Sequence, residues 1–467
     1  MELFSSNDSY KLYKGDMRNM LNVIRKESID AVLTDPPYEL NFMGKGWDNA
    51  GVSFNSDTWK NCYEVLKPGG YLLAFGGSRT YHRIACAIED AGFEIRDTIM
   101  WLYGSGFPKS MNIGLAIDKK NGVESKVVGK GKSGKEETHT NSLNMVKGGF
   151  GGEYEIKEAQ NEWQGWGTCL KPSFEPIIVA RKPFKGSLVD NVIEYGVGGI
   201  NIDECRVETN DKLSIHSTSK NTEQNDMYKW SKERETFTRP EQNLGRFPAN
   251  TILTYDETDF DEVCGGFPYT NSGKMKLNSE VKRKGITEDM PVFNSKNCGI
   301  DVNKATGLCS FGDSGSASRY FYCAKASKKD RDEGLDNFEE KTTCVDKHYA
   351  DEYKKDVNAC SGKYNATQCP KKNIHPTVKP TELMQYLVRL VTPNGGTVLD
   401  PFNGSGSTGK AVMYENKERN KGYKYIGIEL TEEYLPIAQA RIEYVSNLKE
   451  EEKPQTTIFD YIGDSNE

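Results

Sequence analysis

A short stretch near the start of the chain, Asp35-Pro36-Pro37-Tyr38, combines a carboxylate, two prolines and an aromatic ring. Proline has a fixed φ and no N–H, so the carbonyls of Asp35 and Pro36 have no helical or ladder partner close by. Carboxylate and carbonyl oxygens can accept both hydrogens of an exocyclic amine while the Tyr38 ring stacks on the attached base. The stretch predicts a site for a flat amine, although alone it is equally typical of a turn that ends a strand.

A second candidate site lies near the other end of the chain, in the sequence VLDPFNGSGSTG at residues 398–409. An apolar run leads to Asp400 and then to a glycine-rich turn, which lets backbone N–H groups approach a ligand closely. The turn lacks the lysine of a P-loop and the spacing of the dinucleotide fingerprint. About twenty residues later a strand pattern ends in Glu429, whose carboxylate can accept hydrogen bonds from ribose hydroxyls. Together these features predict an adenosine-containing cofactor without a pyrophosphate.

The elements that would position these residues follow from the hydrophobic pattern. Residues 29–33 form a short apolar run typical of a buried strand, which places Asp35 at the strand's carboxyl end. Across residues 10–110, strand patterns alternate with helix patterns, one of which has Met20, Leu21 and Ile24 on one face. This alternation predicts an α/β fold with a parallel sheet and helices on both faces. Ligands bind at the carboxyl ends of strands in such sheets, so both candidate sites belong at one edge.

The combination of motifs resembles the amino-methyltransferases that act on DNA and use S-adenosylmethionine, in particular their beta group. The matching stretches lie near both ends of the chain and in islands between them: Asp35-Pro36-Pro37-Tyr38, Leu66-Lys67-Pro68-Gly69-Gly70, residues 101–109, Ser173-Phe174-Glu175-Pro176, residues 318–321, His375-Pro376-Thr377-Val378-Lys379-Pro380 and the glycine-rich turn. The set is far more specific than any one of its members.

The resemblance implies a circularly permuted, Rossmann-like methyltransferase sheet with helices on both faces and an irregular inserted target-recognition region. Residues 1–110 would form the N-terminal half of the core, and residues 373–449 would form the C-terminal half with the cofactor loop. Residues 111–372 would be the insertion, whose Gly-, Ser-, Lys- and Asn-rich composition favours loops, with short strands returning to the core. Residues 450–467 would be a polar tail.

The resemblance makes Asp35, Pro36, Pro37 and Tyr38 the catalytic residues. The Asp35 carboxylate and the Pro36 carbonyl would accept the amine hydrogens, and an aromatic residue of the following loop, Phe42 or Trp47, would help Tyr38 to stack on the base. Loss of the Tyr38 ring would then weaken stacking by about 1 to 3 kcal/mol, and loss of its hydroxyl alone by much less.

For the cofactor, the resemblance and the glycine-rich turn imply ten residues: Asp16, Thr377, Lys379, Asp400, Pro401, Phe402, Gly404, Ser405, Gly406 and Glu429. Asp16 would contact the adenine, although it is equally well placed to cap a helix. Thr377 and Lys379 would close over the methionine half of the cofactor, where the lysine can pair with a carboxylate.

The resemblance implies a site-specific DNA methyltransferase that transfers a methyl group from S-adenosylmethionine to the N6 amine of an adenine flipped out of double-stranded DNA. Asp rather than Ser at position 35 resembles the adenine branch more than the cytosine-N4 branch, which is the alternative. A second alternative is a sequence-specific DNA-binding protein without catalytic activity. The presence of both halves of the site argues against this alternative. Double-stranded DNA is the expected partner, and a homodimer and a separate restriction endonuclease stay open.

Composition limits the other classes of protein. The 467 residues include 61 Lys and Arg against 68 Asp and Glu, a formal net charge of −7 that argues mildly against a nucleic-acid partner. No apolar run approaches the roughly 20 residues of a membrane span, and the first residues lack a signal-peptide pattern. We therefore expect a cytoplasmic protein without a membrane partner.

Cysteine usage points to a reducing compartment, because the 11 cysteines have no tight frame of the kind that disulfides need. Cys344, His348, Cys360, Cys369 and His375 raise the alternative of a zinc site. Their spacing does not match the paired CxxC pattern of a zinc ribbon, so the sequence predicts no metal.

Overall fold

The computed structural model describes residues 1–40, 51–103, 110–132, 153–209, 245–255, 269–272, 313–316, 321–325, 328–340 and 372–448. The chain divides into two compact units. The first comprises Met1–Cys205, Asn250–Asp259 and Cys323–Glu467, and the second comprises Arg206–Ala249 and Phe260–Tyr322. The part of the predicted insertion before Arg206 therefore belongs to the same compact unit as both predicted halves of the core.

The strands of the described residues are β1 Glu2–Ser6, β2 Tyr10–Lys14, β3 Ile29–Thr34, β4 Leu66–Phe75, β5 Glu94–Tyr103, β6 Lys126–Lys132, β7 Glu153–Glu158, β8 Phe174–Arg181, β9 Thr251–Tyr255, β10 Tyr269–Ser272, β11 Asp313–Ser316, β12 Tyr322–Lys325, β13 Thr397–Asp400 and β14 Lys424–Glu429. The α-helices are α1 Ser56–Val65, α2 Tyr81–Asp90, α3 Ile113–Asn121, α4 Leu188–Tyr195, α5 Lys328–Asp332, α6 Thr381–Val391, α7 Ser407–Arg419 and α8 Leu435–Asn447. Short 3-10 helices occupy Met17–Asn22, Val52–Phe54, Asp203–Cys205 and Glu432–Tyr434.

The main sheet has ten strands in the order β1-β2-β14-β13-β3-β4-β8-β5-β9-β12. Strands β2, β14, β13, β3 and β4 are mutually parallel, as predicted. β8 runs antiparallel to both of its neighbours, β4 and β5, and β1 runs antiparallel to β2. The strands within residues 10–110, β2, β3, β4 and β5, all run in one direction, so the parallel sheet predicted for that part of the chain is confirmed. The antiparallel β8 lies outside that part of the chain, and an apolar run has the same pattern in either strand direction.

The centre of the sheet joins strands from opposite ends of the chain. β13, which leads into the glycine-rich turn, pairs in parallel with β3, which leads into Asp35. This pairing is the one that a circularly permuted methyltransferase sheet requires. The circular permutation relative to other methyltransferases stays a prediction.

Helices cover both faces of the sheet, as predicted. Leu72 and Ala74 of β4 pack with Trp59 of α1 in a core cluster on one face. Side chains alternate along a strand, so Leu73 of β4 and Val179 of β8 point to the other face, where they are also buried. α6 contacts β3 and β4. Both surfaces of the central strands are thus shielded from solvent.

The apolar run that predicted β3 is buried along its whole length. Its one charged member, Asp30, accepts hydrogen bonds from Lys67 Nζ at 2.6 Å and from the amide of Thr397 at 2.8 Å. A buried carboxylate needs such partners, and here they tie β3 to β4 and β13. Asp30 therefore supports the strand order around the candidate site.

The C-terminal helices confirm one predicted pattern and extend it. In the sequence, Leu383, Leu387, Leu390 and Val391 form an apolar stripe at helical spacing, which predicts a helix over residues 381–391. This helix is α6, and Leu383 and Leu387 are fully buried. Its polar face is buried as well, because Arg389 pairs with Glu415 of α7 at 2.6 Å. By contrast, the predicted amphipathic helix near Met20 is a single 3-10 helix in which Met20 is buried.

Two further strand pairs lie outside the main sheet. β6 and β7 form an antiparallel pair in the first unit, and β10 and β11 form another in the second unit. Among the helices of the described residues, none combines the length and apolar character that a membrane span requires.

Candidate active site

The elbow at residues 35–38 follows directly after β3, at the carboxyl edge of the parallel strands. The Tyr38 hydroxyl lies 2.9 Å from Asp35 Oδ1 and 2.8 Å from Glu175 Oε2. A phenol has one proton and can donate to only one carboxylate at a time. Burial, together with the charges of Asp35 and Glu175, raises the pKa of Tyr38 well above its usual range. The hydroxyl therefore stays protonated and acts as a donor at neutral pH.

Lys379 supplies the positive charge of this cluster. Its Nζ lies 2.6 Å from Asp35 Oδ2 and 3.4 Å from Glu175 Oε2. The lysine side chain is 7% exposed, whereas those of Asp35 and Glu175 are 20% and 21% exposed. The ammonium also lies 5.4 Å from the centre of the Tyr38 ring and 5.0 Å from that of Phe75. Burial alone would lower the pKa of Lys379, but the carboxylates of Asp35 and Glu175 outweigh it and raise that pKa.

Asp400, the last residue of β13, ties the elbow to the glycine-rich turn. Its Oδ1 accepts hydrogen bonds from the Thr34 hydroxyl at 2.7 Å and from the Phe402 amide at 3.1 Å. Its Oδ2 accepts one from the Thr408 hydroxyl at 2.6 Å. Burial raises the pKa of Asp400 to about 6. Each bond is made within the protein, and the cofactor contact predicted for Asp400 stays a prediction.

The glycine-rich turn adopts left-handed backbone at Gly404, with φ of 52°, and at Gly406, with φ of 77°. A Cβ on Gly404 would lie 2.8 Å from His375 Nε2. Glu429, at the end of β14, accepts hydrogen bonds from the amides of Gly404 and Thr431, each at 2.7 Å. Burial raises the pKa of Glu429 to about 7. Bare backbone beside a buried carboxylate fits an adenosine-containing cofactor without a pyrophosphate.

Three predicted cofactor residues of the turn are directed into the protein. The Phe402 ring packs against Trp59, with 6.3 Å between ring centres. Ser405 accepts hydrogen bonds from Arg441 Nη1, at 2.7 Å to its carbonyl and 3.1 Å to its hydroxyl. Pro401 is buried. These contacts hold the shape of the turn.

Asp16 caps a helix, which was one of its two predicted roles. Its Oδ1 accepts a hydrogen bond from the Arg18 amide at 2.9 Å, and the Arg18 guanidinium pairs with the same carboxylate. The hydrogen bonds from Arg18 lower the pKa of Asp16. The neighbouring Gly15 amide donates to the Glu429 carbonyl at 2.9 Å, which brings this turn to the same edge of the sheet. Contact with a cofactor adenine stays a prediction.

The segment before α6 holds His375 against the glycine-rich turn. His375 Nδ1 lies 2.6 Å from the Thr377 carbonyl, and the ring meets that of Tyr434 edge to face at 4.7 Å. Burial lowers the pKa of His375 to about 4, so the ring is neutral at pH 7. The cofactor contacts predicted for Thr377 and Lys379 also stay predictions, and here the Lys379 ammonium pairs with Asp35 of the elbow.

Some predicted features lie outside the described residues. These are Phe42, Trp47, Cys344, His348, Cys360 and Cys369. Among the residues that are described, no group of three or more His, Cys, Asp or Glu side chains is arranged to hold a metal ion.

Sequence reasoning gave no role to Glu175, Thr34, Thr408 or His375 in this site. A signal for Glu175 was present, because it stands in the matched stretch Ser173-Phe174-Glu175-Pro176 at the start of a strand pattern. Because β8 is antiparallel to β4, its first residues lie at the carboxyl edge of the parallel strands. Strand direction, which the pattern did not reveal, places Glu175 in the cluster.

Comparison with known proteins adds a family to this geometry. A sequence profile of the family described as DNA methylase, of the N6/N4 methyltransferase type, matches residues 29–440. The type II methyltransferase M.HindIII of Haemophilus influenzae is 25% identical over 149 residues, which cover 31% of this chain and 37% of that protein. The DNA adenine methyltransferase YhdJ of Escherichia coli is 36% identical over 78 residues, which cover 17% of this chain and 24% of that protein. The chain thus matches well under two thirds of the length of either relative.

Among solved structures, the cytosine-N4-specific PvuII DNA methyltransferase has 12% sequence identity and a TM-score of 0.38. That comparison covers 94% of this chain and 91% of the PvuII chain.

Proposed function

The chain belongs to the DNA methylase family of the N6/N4 type, whose cofactor is S-adenosylmethionine, and we propose that it methylates the N6 amine of adenine in double-stranded DNA. The observation that carries the proposal is the place of Asp35. Its carboxylate lies beside Tyr38, at a strand end that the Thr34–Asp400 hydrogen bond joins to the glycine-rich turn. An amine acceptor next to a cofactor site supports transfer between two bound molecules.

The target amine is hidden inside a duplex, so the adenine must leave the base stack, at a cost of a few kcal/mol. In the pocket its amine would donate one N–H to Asp35 and the other to the Pro36 carbonyl. The Tyr38 ring would stack on the base, which contributes about 1 to 3 kcal/mol. These contacts would orient the nitrogen lone pair towards the cofactor.

Gly404, Gly406 and Glu429 would hold the adenosine part of the cofactor, with Asp16 at its adenine and Thr377 at its methionine end. S-adenosylmethionine supplies an electrophilic methyl group on a positively charged sulfur. The amine loses one proton as it becomes methylated, and Asp35 or water would take that proton. The negative charge of the elbow would stabilise the positive charge that develops on the amine, through fixed groups that need no reorganisation.

The choice of adenine is supported by Asp at position 35, which resembles the adenine branch of the family. Cytosine N4 is the alternative, because both bases carry an amine beside a ring nitrogen. That double-stranded DNA is the partner is part of the same proposal. A homodimer, a separate restriction endonuclease and a cytoplasmic location are further predictions.

The proposal is tested by incubation of the purified protein with unmethylated genomic DNA and S-adenosylmethionine, followed by mass spectrometry of the digested nucleosides. N6-methyladenine is the expected product. N4-methylcytosine would overturn the choice of base and keep the choice of reaction. Neither product, in protein that binds the cofactor and beside an active control enzyme, would refute DNA methylation and favour a silent DNA-binding protein.

A further inference from the structure

Both oxygens of the Asp35 carboxylate already have a donor within the protein. The Tyr38 hydroxyl lies at Oδ1, and the Lys379 ammonium lies at Oδ2, 2.6 Å away. A charge-assisted bond of this length is stronger than the bond a neutral amine can offer. A target amine that must donate to Asp35 therefore competes with Lys379.

Glu175 is placed to relieve this competition. Its Oε2 lies 3.4 Å from Lys379 Nζ, about 0.5 to 0.7 Å longer than a normal charge-assisted bond. Its Oε1 lies 3.3 Å from the Tyr103 hydroxyl, which holds the carboxylate from the neighbouring strand β5. The ammonium thus has a second carboxylate within a small movement, and the Tyr38 hydroxyl can donate to the same group.

We propose that Glu175 is a positioning residue that takes over the Lys379 ammonium when the target amine binds Asp35. The inference rests on the proposed methyl transfer. Asp35 then keeps a free acceptor for the amine, while Lys379 stays paired. The three charged groups sum to one negative charge throughout, which complements the positive charge that develops on the amine.

Among the described residues, few other groups that titrate interact with the cluster. Tyr103 and Tyr38 have pKa values raised by burial and by Glu175, and Asp400 and His375 interact with Asp35 at longer range. The His375 ring is neutral above its pKa of about 4. The net charge of Asp35, Glu175 and Lys379 should therefore determine how a substitution at any of the three changes methyl transfer.

The test compares methyl transfer to DNA by wild type, Glu175→Gln, Lys379→Met and the double variant, with kcat, KM for DNA and the pH profile measured for each. Thermal unfolding reports whether each variant is folded, and calorimetry measures its cofactor affinity separately. Glu94→Gln is the matched control: it makes the same chemical change in an exposed ion pair with Arg181 on the adjacent strand.

For Glu175→Gln we expect kcat to fall about tenfold to a hundredfold, because Lys379 then remains on Asp35. Cofactor affinity should be unchanged, and Glu94→Gln should behave as wild type. In Lys379→Met, Asp35 and Glu175 share the Tyr38 hydroxyl without a cation beside them. The acidic limb of the pH profile should therefore move to higher pH. The double variant restores the charge of −1 and should exceed Glu175→Gln by about fivefold or more.

Wild-type activity of Glu175→Gln would overturn the inference, as would additive losses in the double variant, which indicate a role in packing only. Should Glu175→Gln fail to fold, the pH profile of Lys379→Met tests the inference instead. An acidic limb at the same pH as in wild type would then overturn it. Absence of methyl transfer to DNA by the wild type itself is a separate result, which refutes the proposed function.

Discussion

Gly404→Ala adds one methyl group at a position of close approach in the candidate cofactor site. Gly404 has a φ of 52°, and its new Cβ would lie 2.8 Å from His375 Nε2, a distance that side-chain carbons essentially never reach. The His375 ring is backed by Tyr434 and anchored at the Thr377 carbonyl, so it has little room to retreat. We therefore expect the turn to move.

The magnitude follows from two contributions. Left-handed backbone costs a residue with a Cβ about 1 to 2 kcal/mol, of which about 0.4 to 1 kcal/mol is recovered because the unfolded chain loses freedom. Overpacking against the His375 ring adds about 1 to 3 kcal/mol. The free energy of unfolding should fall by about 1 to 5 kcal/mol, and cofactor affinity should fall at least about tenfold because the Gly404 amide is displaced from Glu429.

Gly395→Ala separates strain from contact. Gly395 also has a left-handed φ, of 74°, but a Cβ there would meet no atom within 4 Å. The Gly395→Ala variant should lose only about 0 to 1.5 kcal/mol in its free energy of unfolding. It should bind S-adenosylmethionine as wild type does. The assays are urea unfolding and calorimetric titration with the cofactor. Equal stability and equal cofactor affinity of Gly404→Ala and Gly395→Ala would refute a cost from the close contact with His375. If that contact is the cause, His375→Ala added to Gly404→Ala should restore part of the lost stability.

Three further predictions concern the elbow and the carboxylate of the cofactor site. Asp35→Ala should abolish methyl transfer to DNA while calorimetry still detects cofactor binding; near-normal turnover would show that the active site lies elsewhere. Tyr38→Phe should lower kcat by about tenfold or more, because it removes a hydrogen bond to a carboxylate worth about 1.5 to 3 kcal/mol, and unchanged kinetics would limit the role of the residue to stacking. Glu429 has a pKa of about 7 in the free protein, and ribose hydroxyls favour its ionised form, so cofactor affinity should rise between pH 6 and 8 with release of a proton. Glu429→Gln should remove this pH dependence, and its persistence would assign it to another group.

Local patterns were sufficient for the elements that local interactions determine. The apolar run at residues 29–33 predicted β3, and helical spacing predicted α6, because burial on two faces or on one stripe leaves a signature within the element itself. The direction of β8 leaves no such signature. Whether residues 177–180 pair parallel or antiparallel with β4 depends on the path of the chain between the strands, so the apolar pattern did not indicate that β8 is antiparallel.

The candidate site divides in the same way. Asp35, Tyr38, Gly404 and Glu429 stand in motifs whose residue types already imply acceptors, stacking or close backbone approach. The pairing of Lys379 with Asp35 joins residues 344 positions apart, and no spacing rule reaches that far. Sequence alone therefore gave Tyr38 a stacking role and did not show that the fold places its hydroxyl between two carboxylates.

The antiparallel strand explains how an additional charge reaches this edge of the sheet. Parallel strands bring only their carboxyl ends to it, whereas β8 brings its first residues, with Glu175 directly opposite Trp101 of β5. Pro176 lacks an N–H, yet its carbonyl accepts the Gly76 amide at 2.9 Å at the end of β4 and so helps to hold the register. A slip by one residue would turn Glu175 to the opposite face, away from Lys379. The register of β8 thus sets the charge that Asp35 experiences.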